Sequence, residues 1–241
     1  MWFRNLQLYR VIEKFEYSPE SLHTALSERV FKPCAGLDNY SMGWVSPAGR
    51  ETTQLAHGCN GRMMVCLRRE DRILPATVVR EHVEEKAEAI ALAESRPVGR
   101  KEKQQLKEEV IVDLLPRAFT RSTHMFAYID PVERWVVVDA GTAKKAEELL
   151  SALRETLGSL RLKPLAVNNA PASVLTGWLE NALPAGFELG DECELKEPVD
   201  QGGVMRGRRM DLASAEVKSH LDAGMQVSKL AVEWQERIGC I

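Results

Sequence analysis

The sequence predicts an α+β protein with mixed sheets, a projecting helical hairpin and a further α+β region towards its end. Three observations carry that expectation. Apolar positions switch repeatedly between a period of two and a period near 3.6, the signatures of strand and helix. Two helical stretches joined only by Arg96-Pro97-Val98-Gly99 interrupt the strands. From Lys229 onward, apolar and polar residues alternate as they do in a half-buried strand.

Taken in order, Trp2 to Ile12 reads as a strand, with Phe3, Leu6, Leu8 and Val11 among polar residues. Ser18-Pro19 supplies a helix cap and a proline in the first turn, and Leu22, Leu26 and Val30 form the stripe of the helix that follows. A glycine-rich section accommodates short strands around 43–45, 54–57 and 62–68. Pro75 opens a helix with the stripe Val79, Val83, Ala87 and Ile90. Its partner carries Leu106, Val110 and Leu114 and is ended or kinked by Pro116. Such a pair is an αα-hairpin. Met125 to Ile129 and Arg134 to Asp139 read as strands, and β-branched Val136, Val137 and Val138 suit a central one. A helix from about Ala143 turns Ala146, Leu149, Leu150, Leu153 and Leu157 inward and stops at Gly158. Arg161 to Val167 returns as a strand.

The pattern then restarts with a helix around 174–181, an acidic segment, an arginine stretch and a helix from Ser214 to Ala223. The closing strand should place Leu230, Val232, Trp234, Glu236 and Ile238 on one face and Lys229, Ala231, Glu233, Gln235 and Arg237 on the other. It runs to Ile241 without an evident turn or partner, which suggests a chain cut before its natural end. The implied organisation is a central domain from 1–74 and 118–168, a hairpin tip from 75–117, and a C-terminal base domain from 169–241.

At 241 residues, 44% hydrophobic and 28% charged, the chain has the composition of an ordinary soluble protein. A net charge of −3 excludes a protein that is basic throughout, but the charge is segregated along the chain. Arg96, Arg100, Lys101, Lys103, Lys107, Arg117 and Arg121 face few acids in their stretch, and Arg206, Arg208 and Arg209 face none in theirs. Glu188 to Asp200 supplies the counterweight. Base on one face and acid on another would focus a field on phosphate while keeping the protein soluble. Most charges on the hairpin nonetheless fit a plain solvated helix face.

Catalytic constellations are missing. Five cysteines without a CxxC argue for reduced thiols rather than zinc, and His57, Cys59 and Cys66 read as separate core residues. His23, His57, His82, His124 and His220 sit in unrelated contexts. Asp130, Glu133 and Asp139 at strand edges raise a metal-dependent nuclease, but Ala140-Gly141-Thr142 puts no lysine where such a core needs one. No catalytic residue, metal or cofactor is therefore assigned. The start lacks a signal peptide's apolar run and no stretch has transmembrane length, so an intracellular protein without a membrane partner is expected.

Leu114-Leu115-Pro116-Arg117-Ala118-Phe119 brings the separate signals together. With Trp2-Phe3-Arg4-Asn5-Leu6, Met42-Gly43-Trp44-Val45, Ala143-Lys144-Lys145-Ala146-Glu147 and Ser228-Lys229-Leu230-Ala231, this chain resembles the bacterial RdgC family along its whole length. The resemblance implies a non-enzymatic, nucleoid-associated, cytoplasmic protein that binds DNA with little sequence preference and restrains the RecA recombinase. It also implies a homodimer shaped as a closed ring around a basic hole, with acid on the exterior. Carried over by position, Phe119 would press on or wedge between bases, and Arg117 and Arg121 would contact phosphates. Without the resemblance, Phe119 fits a core side chain better. Arg206, Arg208 and Arg209 match a second basic patch, with Met210 beside them; Arg96, Arg100, Lys101 and Lys103 are weaker candidates. Two rival expectations remain, a module that grips RecA directly and the metal-dependent nuclease.

Overall fold

A computed structural model describes residues 3–199, 201–234 and 238–240, and the chain divides into two compact units, Met1–Leu165 and Ala166–Ile241. Trp2, Asp200, Gln235, Glu236, Arg237 and Ile241, used in the expectations above, lie outside the described residues.

The first unit is built on one antiparallel sheet. Its strands are β1 (Leu6–Val11), β2 (Tyr40–Val45), β3 (Ala56–Cys59), β4 (Arg62–Ile73), β5 (Phe119–Asp130), β6 (Trp135–Asp139) and β7 (Leu162–Pro164). Their order is β2-β4-β5-β6-β1-β7, and β3 shares an edge of β4 with β2, each pairing with one half of it. Strand alternation decides what is buried. Met63, Val65 and Leu67 of β4, Met125, Ala127 and Ile129 of β5, and Val136 and Val138 of β6 all enter one core. Helices α1 (Pro19–Ser27) and α4 (Ala143–Leu157) cover it with Leu22, Leu26, Leu149, Leu150 and Leu153, none of them exposed.

Local chemistry sets the helix ends. The Ser18 hydroxyl accepts the Ser21 N–H at 3.2 Å and the Ser21 hydroxyl accepts the Ser18 N–H at 2.8 Å, a reciprocal capping box ahead of Pro19. Val30 does not continue the α1 stripe. The Glu28 and Arg29 N–H groups bond back to Ala25 and Leu26, which tightens the last turn, and Val30 instead bridges to Trp44. Trp44 is itself 1% exposed and its indole N–H donates to Thr156 at 3.0 Å.

Between β4 and β5 stand α2 (Ala76–Glu94) and α3 (Arg100–Leu114), followed by one 3-10 turn at Leu115–Arg117. Val79, Val83, Ala87, Leu106 and Val110 form a small core of their own. The hairpin leaves the sheet where Ile73 pairs with Phe119, the last rung of a ladder that begins at Met63–Ile129. Strand β5 is thus longer than the expected Met125–Ile129. Residues 119–124 are exposed and carry no burial alternation, so only their pairing with β4 makes them strand. The expected strand at Arg161–Val167 shrinks to β7, an edge position that tolerates Pro164.

The second unit holds α5 (Pro171–Glu180), β8 (Phe187–Lys196), β9 (Val204–Arg208), α6 (Ala215–Asp222), β10 (Gln226–Trp234) and β11 (Ile238–Cys240). Its antiparallel sheet runs β11-β10-β8-β9. Leu195, Val217, Leu221, Val227 and Leu230 form the core. The last strand departs from the sequence expectation twice. It has partners on both sides, β8 and β11, and Ile238 belongs to the returning strand. Its alternation is also broken, because Leu230, Ala231 and Val232 are all buried across a register shift. Gly190 permits this: a Cβ there would lie 2.8 Å from that of Ala231.

Candidate nucleic-acid interface

Helix α3 sorts its charges by helical phase. Arg100, Lys103 and Lys107 recur at three- and four-residue intervals and so share one side of the helix with Ile111. Together with Arg80 of α2 and Arg72 of β4 they line a cleft of about 640 Å³ whose floor includes Leu74, Val79, Val83 and Leu115. No carboxylate lines it. Three of the hairpin's acids are paired away from it: Lys86 holds Asp113 at 2.9 Å, and Arg96 binds Glu94 at 2.6 Å and Glu102 at 2.8 Å. Among the described residues Arg80, Arg100, Lys103 and Lys107 have no ion pair, so their charge is available to a polyanion.

Arg96 is differently placed from the other hairpin candidates. Its guanidinium forks onto Glu102 through both terminal nitrogens, at 2.8 and 2.9 Å, and its pKa is raised chiefly by that contact. It closes the hairpin tip next to Ser95, which turns the chain at φ 50°. Lys101 is exposed but falls outside the cleft. Arg72 acts as a root for the hairpin, donating to the carbonyls of Asp38 at 3.0 Å, Leu115 at 2.5 Å, Cys34 at 3.4 Å and Gly36 at 3.3 Å.

At the foot of the hairpin Phe119 is 85% exposed, which rules out the core alternative. Strand alternation puts Arg121 on the same side of β5, while Arg117 ends the 3-10 turn just before it. Asp71 lies opposite Arg121 in register but is held by Arg69 at 2.8 Å, so Arg121 is unpaired among the described residues, as is Arg117.

In the second unit the expected separation of acid from base fails locally. Register sets Arg206 opposite Glu194 and Arg208 opposite Glu192, and cross-strand partners point to one face of the sheet. Glu194, only 5% exposed, receives Arg206 Nε at 2.8 Å, Lys196 at 3.3 Å, Lys229 at 3.6 Å and the Ser228 hydroxyl at 2.9 Å. The Arg206 contact, then Ser228, brings its carboxyl down to about 2. Arg208 reaches Glu192 only at 4.0 Å, and Arg209 has no ion pair among the described residues. Arg209 sits at φ 53° and turns the chain so that Met210 folds over Gly207, where any Cβ would collide with its sulfur. The outer face therefore carries four cations, Lys196, Arg206, Arg208 and Lys229, around two carboxylates.

Two of the three strand-edge acids, Asp130 and Asp139, have structural partners. Asp130 accepts Arg62 Nε at 2.8 Å and the N–H groups of Val132 and Glu133 at 3.1 and 2.9 Å, which lowers its pKa. Asp139 accepts the Arg4 and Asn5 N–H groups at 3.1 and 2.9 Å. His57 and Cys59 are exposed on β3 rather than in the core, and only Cys66 of that trio is buried. No group of three or more possible metal ligands occurs among the described residues. No helix among them is long and apolar enough to cross a membrane.

Sequence reasoning singled out Arg100 and Lys103 but omitted Arg80 and left Lys107 off the site. The helical phase of 100, 103, 107 and 111 was the signal that could have found Lys107; Arg80 joins only through hairpin packing.

Comparison with known proteins gives one consistent result. The family model described as "Putative exonuclease, RdgC" matches residues 1–241. Proteins named recombination-associated protein RdgC are similar over the same length. The one from Aeromonas hydrophila is 44% identical across 100% of this chain and 80% of its own. The one from Tolumonas auensis is 42% identical with the same coverage, and the one from Yersinia pestis is 42% identical over 99% of this chain and 79% of its own.

Proposed function

The chain belongs to the RdgC family, and on that premise we propose that it binds DNA with little sequence preference and restrains RecA-dependent recombination. In this reading a homodimer, closed into a ring, covers duplex in the nucleoid, and a recombinase filament cannot nucleate on or invade what is covered. The observation that carries it is the set of cations without an ion pair among the described residues of the first unit, Arg80, Arg100, Lys103, Lys107, Arg117 and Arg121, the last two flanking an 85% exposed phenylalanine along the chain. Phosphate contacts of this kind give affinity without sequence information. An exposed aromatic on which a base stacks contributes about 1–3 kcal/mol per base, against which the unstacking of a duplex step costs a few kcal/mol. Arg206, Arg208 and Arg209 form a second contact area, of which Arg209 is the least committed to a carboxylate.

Fluorescence anisotropy on an arbitrary duplex across a salt series tests the reading. Phe119→Ala should weaken binding with little change of salt slope. Arg117/Arg121→Ala should flatten the slope by about 1.8 units, at about 0.9 per phosphate contact. A parent that fails to bind duplex at low salt would overturn it and move direct contact with RecA to the front. The "exonuclease" in the family description favours one second reading. Incubation of end-labelled duplex with magnesium tests it, with Asp130→Asn and Asp139→Asn as controls; magnesium-dependent shortening lost in either variant would establish a nuclease.

A further inference from the structure

On the sheet face opposite the helix-covered core, β4 and β5 present Arg68, Ser122, His124 and Phe126. Together with the loop that carries Arg50 and Thr53, with His23 and Ser27 of α1, and with the core side chains Trp44 and Leu55, they line a cleft of about 760 Å³. Its charged groups are all basic or imidazole, and no carboxylate lines it. Glu70, the nearest acid along β4, is already engaged by Arg68 Nη2 at 3.0 Å, the Ser122 hydroxyl at 3.2 Å and the Cys34 N–H at 3.1 Å.

Arg68 is held for presentation. Its guanidinium stacks over Phe31 at 4.1 Å, and Nε and Nη2 donate to the Ser122 hydroxyl at 3.2 and 2.9 Å. Nη1 makes no hydrogen bond among the described residues, and Arg50 makes no ion pair among them. His124 lies directly opposite Arg68 in the β4–β5 ladder. His23, also on the cleft, accepts the Leu55 N–H through Nδ1 at 3.1 Å, so its neutral form carries the proton on Nε2.

We propose that this cleft binds a phosphate monoester carrying a base, either a free nucleoside 5′-monophosphate or the phosphorylated end of a DNA strand. Two guanidiniums and the hydroxyls of Thr53 and Ser122 suit a terminal phosphate, and the Phe126 and Leu55 side chains suit the flat face of a base. The volume falls within the about 300–1,000 Å³ typical of small-ligand sites. The site is separate from the hairpin cations and from Phe119, so it stands whether or not those contact duplex.

His124 is a built-in reporter. Partial desolvation of the ring against the cleft wall, then Arg68 and Arg50, lower its pKa, although the residue as a whole remains exposed. Glu70 is tied to Arg68, and His23 is the other titratable group on the cleft. An arriving dianion must favour the imidazolium, and by linkage the imidazolium must favour the dianion. Histidine-ring NMR titrations of the full chain should show the His124 pKa rising by about one unit with inorganic phosphate or dAMP at matched ionic strength, a tenfold linkage. Exposed His57 should not move. Arg50→Ala, which breaks no bond of the fold, should abolish the rise. A hairpin oligonucleotide with a 5′-phosphate, set against its 5′-hydroxyl twin, separates the sources. A rise with the phosphorylated end identifies strand ends, and a rise with dAMP alone identifies the free nucleotide. An unchanged His124 curve with phosphate, dAMP and oligonucleotide up to about 10 mM would overturn the proposal. So would an equal rise in Arg50→Ala or with sulfate at the same ionic strength.

Discussion

Replacing Arg100, Lys103 and Lys107 together by alanine removes three cations that have no carboxylate partner among the described residues and that share one side of α3. Each phosphate contact contributes about 0.9 to the log–log salt slope, so the triple variant should lose about 2.7 units. Between 50 and 200 mM salt the parent's affinity should then fall about 40-fold further than the variant's, since a fourfold salt change raised to the power 2.7 is about 40. Anisotropy with one labelled duplex across that range reads the effect directly. The comparison that gives it meaning is Lys86/Arg96→Ala. Those cations are bound to Asp113 and to Glu94 and Glu102, so their removal changes net charge without clearing a phosphate-facing surface. That double variant should leave the slope within about half a unit of the parent's. An unchanged slope in the triple variant would remove the α3 face from the DNA path. Equal loss per charge in the two variants would show that slope follows net charge and that no surface has been located.

Leu150→Ala should lower stability by about 2–5 kcal/mol, read as a lower urea midpoint at unchanged m, because its side chain is fully buried between α4 and the sheet. Gly43→Ala should be at least as damaging in the same assay, since a Cβ there would overlap the Phe31 main chain and no side chain can move aside. Asp130 is held below the ordinary carboxylate range, first by the Glu133 N–H and then by Arg62. Its contribution to stability is therefore present above the unfolded pKa of about 3.9 and is lost as pH falls through the lowered folded value. The acid limb of an Asp130→Asn stability curve should be shallower than the parent's. Thiol labelling of the native protein should reach exposed Cys59 quickly and spare Cys66, whose thiol burial pushes up to about 12.

Local pattern was enough for much of the architecture. Ser18-Pro19 announces α1, the 3.6-residue stripes announce α2, α3 and α4, and Val136 to Val138 announce a buried strand, because each signal is written within one or two turns or pleats of chain. The motif around Phe119 was equally legible as a family resemblance. What the sequence could not determine depends on partners distant along the chain. The strand character of residues 119–124 comes from β4, and the burial of Ala231 goes with the bulge of β8 that contains Gly190. The same holds for charge. Composition established that arginines and acids are separately clustered in sequence. Only the register of β8 with β9 decided that Arg206 faces Glu194, and only hairpin packing joined Arg80 to the α3 cations while Glu102 and Asp113 paired elsewhere. A charge's worth to a ligand is set by the nearest opposite charge, which falls off with distance in space, and chain order records that distance only within a single element.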